Sequence, residues 1–187
     1  MCTKYNTAEE LKMVTQMCRD IFTKKNGDYG AAWRIMRPTS VTDQIYIKAQ
    51  RIRSLEEKGE SLVGEGIVPE FIGIVNYGLM GVIQLREGYT DKPDMDTKRV
   101  LSQYDEQMKA TLDLMKAKNH DYGEAWRMMR VSSYVDLILM KIQRTKQIES
   151  NNGKTLISEG IDANYFDMVN YSLFALIKLV CEKEPEA

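Results

Sequence analysis

The segment Asp28-Tyr29-Gly30-Ala31-Ala32-Trp33-Arg34-Ile35-Met36-Arg37 returns later in the chain as Asp121-Tyr122-Gly123-Glu124-Ala125-Trp126-Arg127-Met128-Met129-Arg130. Its surroundings return with it: Ser40, Asp43, Ile45, Lys48, Gln50 and Arg51 reappear as Ser133, Asp136, Ile138, Lys141, Gln143 and Arg144. Further on, Glu65-Gly66-Ile67 and Asn76-Tyr77 reappear as Glu159-Gly160-Ile161 and Asn170-Tyr171. A chain duplicated in this way must fold as two like units, so whatever architecture serves one half has to serve the other.

Helical periodicity runs through both halves, and no stretch alternates convincingly as a strand. Thr7-Ala8-Glu9-Glu10 has the form of a capping box and predicts a helix from Ala8 to Lys24, broken at Asn26-Gly27. A short helix follows over Ala31–Met36, stopped near Pro38. Ser40-Val41-Thr42-Asp43, repeated as Ser133-Tyr134-Val135-Asp136, reads as a second capping box in which Asp43 and Asp136 are structural. The helix after it reaches Lys58, with Val41, Ile45, Ile52 and Leu55 in its inward stripe and Lys48 among them; Lys141 sits likewise in the second copy. Pro69 opens a helix to Arg86 that is apolar on almost every side, the pattern of a helix enclosed by others. The second half repeats the order with helices over Lys98–Lys118, Ser133–Glu149 and Asp162–Glu182.

Three main helices cannot enclose their own central one. The expected fold is therefore all-α: two three-helix units, residues 1–88 and 98–187 joined by a connector over 89–97, packed as a pseudo-two-fold internal dimer. Gly73, Gly78 and Gly81 would let the central helices approach closely, since three glycines in one helix are costly without such a reason.

With 26 Lys plus Arg against 27 Asp plus Glu, no global field draws the chain to nucleic acid or to an acidic membrane, so direct nucleic-acid binding is not expected. The longest uncharged stretch, Phe71 to Leu85, falls short of a roughly 20-residue span, and the amino terminus lacks the apolar run of a signal peptide. Three cysteines without shared spacing argue against a disulfide framework. A cytoplasmic location fits these traits, and further pairing into a homo-oligomer is left open. A single histidine, His120, excludes a histidine-rich metal centre and is read as a loop residue. Neither of the two glycine-rich phosphate loops nor the nucleophile elbow is present.

The candidate site residues are those the duplication retained. Trp33 and Trp126 offer flat faces on which a base could stack, with Tyr29 and Tyr122 beside them; the same aromatics could equally anchor a short helix on the core. Asp28 and Asp121 are either site residues or caps. Arg34, Arg37, Arg127 and Arg130 suit bidentate work on phosphate, or salt bridges to an acid of the other half. Lys48 with Arg51, and Lys141 with Arg144, lie one turn apart on one helix side and either meet a buried acid or bind an anion. Asn76 and Asn170 are ligand contacts or buried amides bonded to neighbours. Glu159 and Asp167, with Asp162, could hold Mg²⁺ through oxygen, but only in the second half, because the first has Gly73 and Val68 in place of Asp167 and Asp162.

The motif Asp-Tyr-Gly-x-Ala-Trp-Arg, the helix through Lys48-Ala49-Gln50-Arg51 and the Glu-Gly-Ile segment leading to Asn76-Tyr77 resemble the nucleotide modification associated domain family, first type, present twice and covering nearly the whole chain. The resemblance implies a role in nucleotide or modified-base metabolism. It also implies an acidic helix, of which Glu65, Asn76 and Tyr77 remain in the first copy and Glu159, Asp167, Asn170 and Tyr171 in the second; Pro69, Gly73 and Ala163 replace acids. Glu57-x-x-Glu60 and Glu159-Gly160-Ile161-Asp162 are similar in part to the acidic motifs of all-α nucleoside triphosphate pyrophosphohydrolases. The expectation is thus a nucleotide-binding protein, with phosphate on Arg34, Arg37, Lys48 and Arg51 or their counterparts and Mg²⁺-dependent phosphohydrolysis as its catalytic form. The alternative is a non-catalytic helical protein-interaction module. Lys141→Ala is expected to remove ligand binding with little loss of stability.

Overall fold

A computed structural model describes residues 6–59 and 66–182. Glu60, Glu65 and Cys2 lie outside the described residues, which are helical throughout and contain no strand. Each half supplies three helices: α1 (Thr7–Tyr29), α2 (Pro38–Lys58) and α3 (Val68–Glu87), then α4 (Thr97–Tyr122), α5 (Val131–Ser150) and α6 (Ile161–Leu176). A four-residue 3₁₀ turn carries each tryptophan, Ala32–Ile35 and Ala125–Met128, and α6 ends in a π-helical turn, Ile177–Cys181.

The two halves are packed as an internal dimer around α3 and α6, which lie against each other at the centre with α2 and α5 beside them. Gly78 and Gly81 make the central approach: a Cβ on Gly78 would stand 2.5 Å from Val169 Cγ2, and one on Gly81 would stand 2.8 Å from the Tyr165 ring. Gly73 differs from the expectation, because it makes room for the Lys48 side chain rather than for a helix. Asp43 and Asp136 are not caps. Asp43 accepts from Lys146 at 2.6 Å and Asp136 pairs with Arg53, so α2 and α5 exchange equivalent ion pairs across the pseudo-two-fold, as an isologous interface requires.

α3 has the length and composition of a membrane-crossing helix, yet 72% of its apolar window is buried inside the fold. Its 20 residues exceed the uncharged stretch because Glu70 and Arg86 belong to the same helix. Cys18 and Cys181 are free thiols.

Several boundaries differ from those expected. The N-caps of α1 and α4 are Asn6 and Asp96, whose side chains accept from the Glu9 and Arg99 amides, so Thr7 lies inside its helix. Pro38 opens α2 rather than closing the short helix before it, as suits a residue lacking an N–H at a first helical position. α1 does not break at Asn26-Gly27. Asn26 is buried with its amide on Thr97 Oγ1 at 3.1 Å, which holds the helix in register against the start of α4. The turn that ends the helix is Gly30 at φ +62°, matched by Gly123 at φ +61°, a left-handed conformation that glycine adopts without steric cost. His120 is consequently in the last turn of α4, exposed, with Asp121 Oδ1 at 3.1 Å from its Nδ1.

Candidate functional site

The glycine turn after each first helix directs the following 3₁₀ turn back under the helix end, and this places the tryptophan at the foot of a cleft between the first and third helices of its half. In the first repeat the cleft is an open pocket of about 630 Å³. Its walls are Ile21, Phe22 and Tyr29 of α1, Trp33, Ile35 and Met36 of the turn, and Ile72, Tyr77 and Met80 of α3. Lys25 and Lys48 are its cationic lining. A pocket of this size with mainly apolar and aromatic walls and few polar groups is the usual form of a small-molecule site.

Lys48 crosses Gly73 to reach Glu70: its Nζ donates to Glu70 Oε2 at 3.2 Å, while Arg51 donates to Glu70 Oε1. The Glu70 side chain is only 9% exposed, against 25% for Lys48 and 27% for Arg51, so the acid is enclosed and its two cations reach the surface. Tyr77 lies beneath Lys48, with the ammonium 5.9 Å from its ring centre. Burial, with a smaller contribution from Tyr29, raises the Tyr77 phenol above its ordinary range, so it remains a proton donor at neutral pH.

The second repeat forms the equivalent cleft from equivalent residues, but only about 150 Å³ remains. Two exchanges account for the difference. Phe174 stands where the first repeat has Met80 and stacks on Trp126 with ring centres 4.4 Å apart. Asp167 stands where the first repeat has Gly73, and its carboxylate accepts from Lys118 at 2.6 Å and Lys141 at 2.5 Å. Burial pushes the Asp167 carboxyl up, but the two ammonium groups outweigh it and hold the group below the usual carboxylate range. Glu70 has Asn164 as its counterpart, so Arg144 lacks the acid that Arg51 has.

The arginines of the repeated motif do not line either pocket. Arg34, 1% exposed, grips Asp94 of the connector at 2.8 and 3.4 Å and also bonds Gln84, whose amide in turn donates to the carbonyls of Trp33, Arg34 and Met36. Arg127 bonds Glu10, Glu124, Glu182 and Thr7, and Lys178, in the place of Gln84, donates to the Arg127 carbonyl at 2.7 Å. Arg34 therefore ties its tryptophan turn to the connector, and Arg127 ties its own to the start of the first half. Arg37 and Arg130 are exposed N-cap residues of α2 and α5 and line neither pocket. Asp28 and Asp121 are exposed at the ends of α1 and α4 and make no cap bond to the turns.

Asn76 lines the first pocket, but both ends of its amide are engaged: the nitrogen donates to the Cys18 carbonyl at 3.2 Å, and the oxygen accepts from Tyr104 at 2.8 Å. Asn170 Oδ1 in the second pocket is buried without a partner, because Leu11 occupies the position equivalent to Tyr104 and has no hydroxyl to offer. The expected Mg²⁺ ligands do not fit a cation. Asp167 gives one oxygen to each of two lysines, Glu159 is exposed on the segment before α6, and no group of three or more His, Cys, Asp or Glu side chains among the described residues is placed to hold a metal. Lys25 and Lys118, and Met80 and Phe174, were missed from sequence, although the first pair recurs at the interval of the motif and the second is exchanged at the interval of Asn76 and Asn170.

These features define a class: a duplicated helical bundle with one pocket open and its counterpart closed by the chain's own side chains. The family model for nucleotide modification associated domain 1 matches residues 25–85 and 118–179, and the chain belongs to this family as a tandem pair. Neither the curated proteins nor the solved structures contain a match.

Proposed function

We propose that the chain binds a nucleotide, with the base in the open pocket of the first repeat and one ligand per chain. The observation that carries this reading is the pairing of an aromatic-walled cavity of about 630 Å³ with a lysine laid across its glycine wall. Tyr29, Trp33 and Tyr77 offer ring surface to a base, which stacks on aromatic side chains whatever its sequence identity. Lys48 and Lys25, on the pocket lining, present ammonium groups toward phosphate. Membership of a family named for nucleotide modification agrees with such a ligand. The closed ion pairs of Arg34 and Arg127 remove those residues from the binding assignment and make them struts of the fold. We propose binding and not turnover, because no carboxylate among the described residues lines the first pocket and Asp167, in the second, is committed to two lysines.

Tyr29 is the residue to test, since it lines the pocket yet is 57% exposed and contributes little to the core. Calorimetric titration with nucleosides and nucleotides bearing normal and modified bases is expected to give one site per chain. Tyr29→Ala should weaken it by about 1–3 kcal/mol, roughly 5- to 150-fold, with the melting temperature unchanged. No binding by any nucleotide at millimolar concentration would overturn this reading in favour of the protein-interaction module.

A further inference from the structure

The second repeat displays, in its own side chains, an anion held between two lysines at the position where the first repeat has Gly73 with the flexible end of Lys48 laid over it. Lys118 and Lys141 are the counterparts of Lys25 and Lys48, and Asp167 is the counterpart of Gly73. In the second repeat the two ammonium groups clamp the Asp167 carboxylate from either side, at 2.6 and 2.5 Å. The first repeat keeps both cations on its pocket wall and lacks the carboxylate. Lys48 Nζ lies 2.9 Å from where a Cβ on residue 73 would stand, within reach of any group placed where an aspartate would project. Lys25 has no ion-pair partner among the described residues.

We propose that the first pocket holds a single terminal oxyanion, the phosphate monoester of its ligand, between Lys25 and Lys48 over Gly73. Asp167 marks the location, since its carboxylate fills the equivalent space in the closed pocket. The charge count sets the phosphate number. Two ammonium groups, Lys25 and Lys48, line the pocket, as the two of Lys118 and Lys141 meet the single Asp167 carboxylate. That matches a monoester, which carries about −1.5 to −2 at neutral pH, and leaves the further charges of a triphosphate unmet. Gly73 is then the residue that makes the first repeat competent, and the ligand class is a nucleoside monophosphate. The nucleoside portion of this statement rests on the nucleotide reading above; the anion position does not.

Phenyl phosphate and phenol separate the two. Titrated into the full chain, phenyl phosphate is expected to bind at least tenfold more tightly than phenol, and nucleoside monophosphates at least as tightly as the triphosphates. Gly73→Asp restores the second repeat's carboxylate, and the atoms that a Cβ there meets belong to the flexible end of Lys48, so the fold should hold. That variant should lose at least tenfold in phenyl phosphate affinity with no fall in melting temperature. Lys25→Gln, at an exposed position, should lose a similar factor and serves if Gly73→Asp does not fold. Equal affinity for phenyl phosphate and phenol, or wild-type affinity in both variants, overturns the anion position. A triphosphate bound more than tenfold better than its monophosphate overturns the single-phosphate count. Binding of phenyl phosphate without any nucleotide sinks the nucleotide reading and leaves the anion position standing.

Discussion

Lys48 and Lys141 occupy the same position in the two repeats, and the structure gives their removal opposite consequences. Lys141 is 7% exposed and bonds Asp167, which is 4% exposed. Truncating one partner of a buried ion pair typically costs about 3–5 kcal/mol, mostly from the charge left behind. Lys118 stays on the other carboxylate oxygen at 2.6 Å, but its side chain is 47% exposed and recovers only part of the loss. Lys141→Ala should therefore cost about 2–3 kcal/mol. For a chain of this length that lowers the melting temperature by roughly 4–12 °C. Lys48→Ala leaves Glu70 paired with Arg51 and removes a side chain already 25% exposed, so its cost should stay under about 1 kcal/mol. Ligand affinity should follow the reverse order, lost with Lys48→Ala and retained with Lys141→Ala. Urea denaturation of both variants, read alongside a phenyl phosphate titration, measures the contrast. Replacing both members of the closed pair, Lys141→Met with Asp167→Leu, should return most of the stability, because an apolar pair of similar volume carries no stranded charge. Equal stability losses from the two lysines would refute the assignment of one to a structural clamp and the other to a site. So would a loss of ligand binding confined to Lys141→Ala; from sequence alone that variant is expected to lose binding with its stability nearly intact.

Two further outcomes follow from the same geometry. The Asp167 carboxyl, depressed by its lysines, contributes stability that is present above the unfolded carboxylate value of about 3.9 and is lost as pH falls through its lower folded value. Asp167→Asn should consequently flatten the acid limb of a stability–pH curve below about pH 4, and an unchanged limb would count against the clamp. At the crossing of α3 and α6, Gly78→Ala puts a Cβ 2.5 Å from Val169 Cγ2, and overpacking of this kind costs about 1–3 kcal/mol; in a Val169→Ala background the same change should become neutral or stabilising, as measured by a double-mutant cycle.

The architecture was legible because duplication and the all-round apolar α3 both demand an internal dimer, and the helix boundaries that slipped did so for local reasons. Asn26-Gly27 has the composition of a break, but the helix runs on to Tyr29, as its counterpart runs to Tyr122, and both end at the glycine that follows. Ser40 and Ser133 look like caps, yet Pro38 and Val131 already begin those helices. The aromatic wall and Lys48 were readable from recurrence. Arg34 and Arg127 recur as strongly and proved to be struts, since retention through duplication marks a shared constraint without saying whether a ligand or the fold imposes it. The open state of one pocket was readable only from what does not recur. Gly73 against Asp167 and Met80 against Phe174 were visible as exchanges, but their effect depends on which way each side chain points across the cleft.

The exchange of acids explains how one half could close without disturbing the bundle. Glu70 and Gly73 in α3 correspond to Asn164 and Asp167 in α6, and positions three apart share a helical face. Each half thus keeps one carboxylate on its central helix to meet the lysine of its second helix, and only Glu70 reaches the arginine as well. What differs is where on that face the acid sits. At position 70 it draws Lys48 and Arg51 together near the helix start, with the Lys48 side chain laid across Gly73. One turn later, at position 167, it projects into the cleft itself and takes the lysines that would otherwise meet a ligand. The aromatic exchange completes the closure, because Phe174 covers the Trp126 face that the first repeat leaves beside its cavity. Placing the carboxylate one helical turn later, together with the aromatic exchange, therefore separates a cationic pocket from one filled by the chain's own acid and ring, and the two repeats of this chain hold one of each.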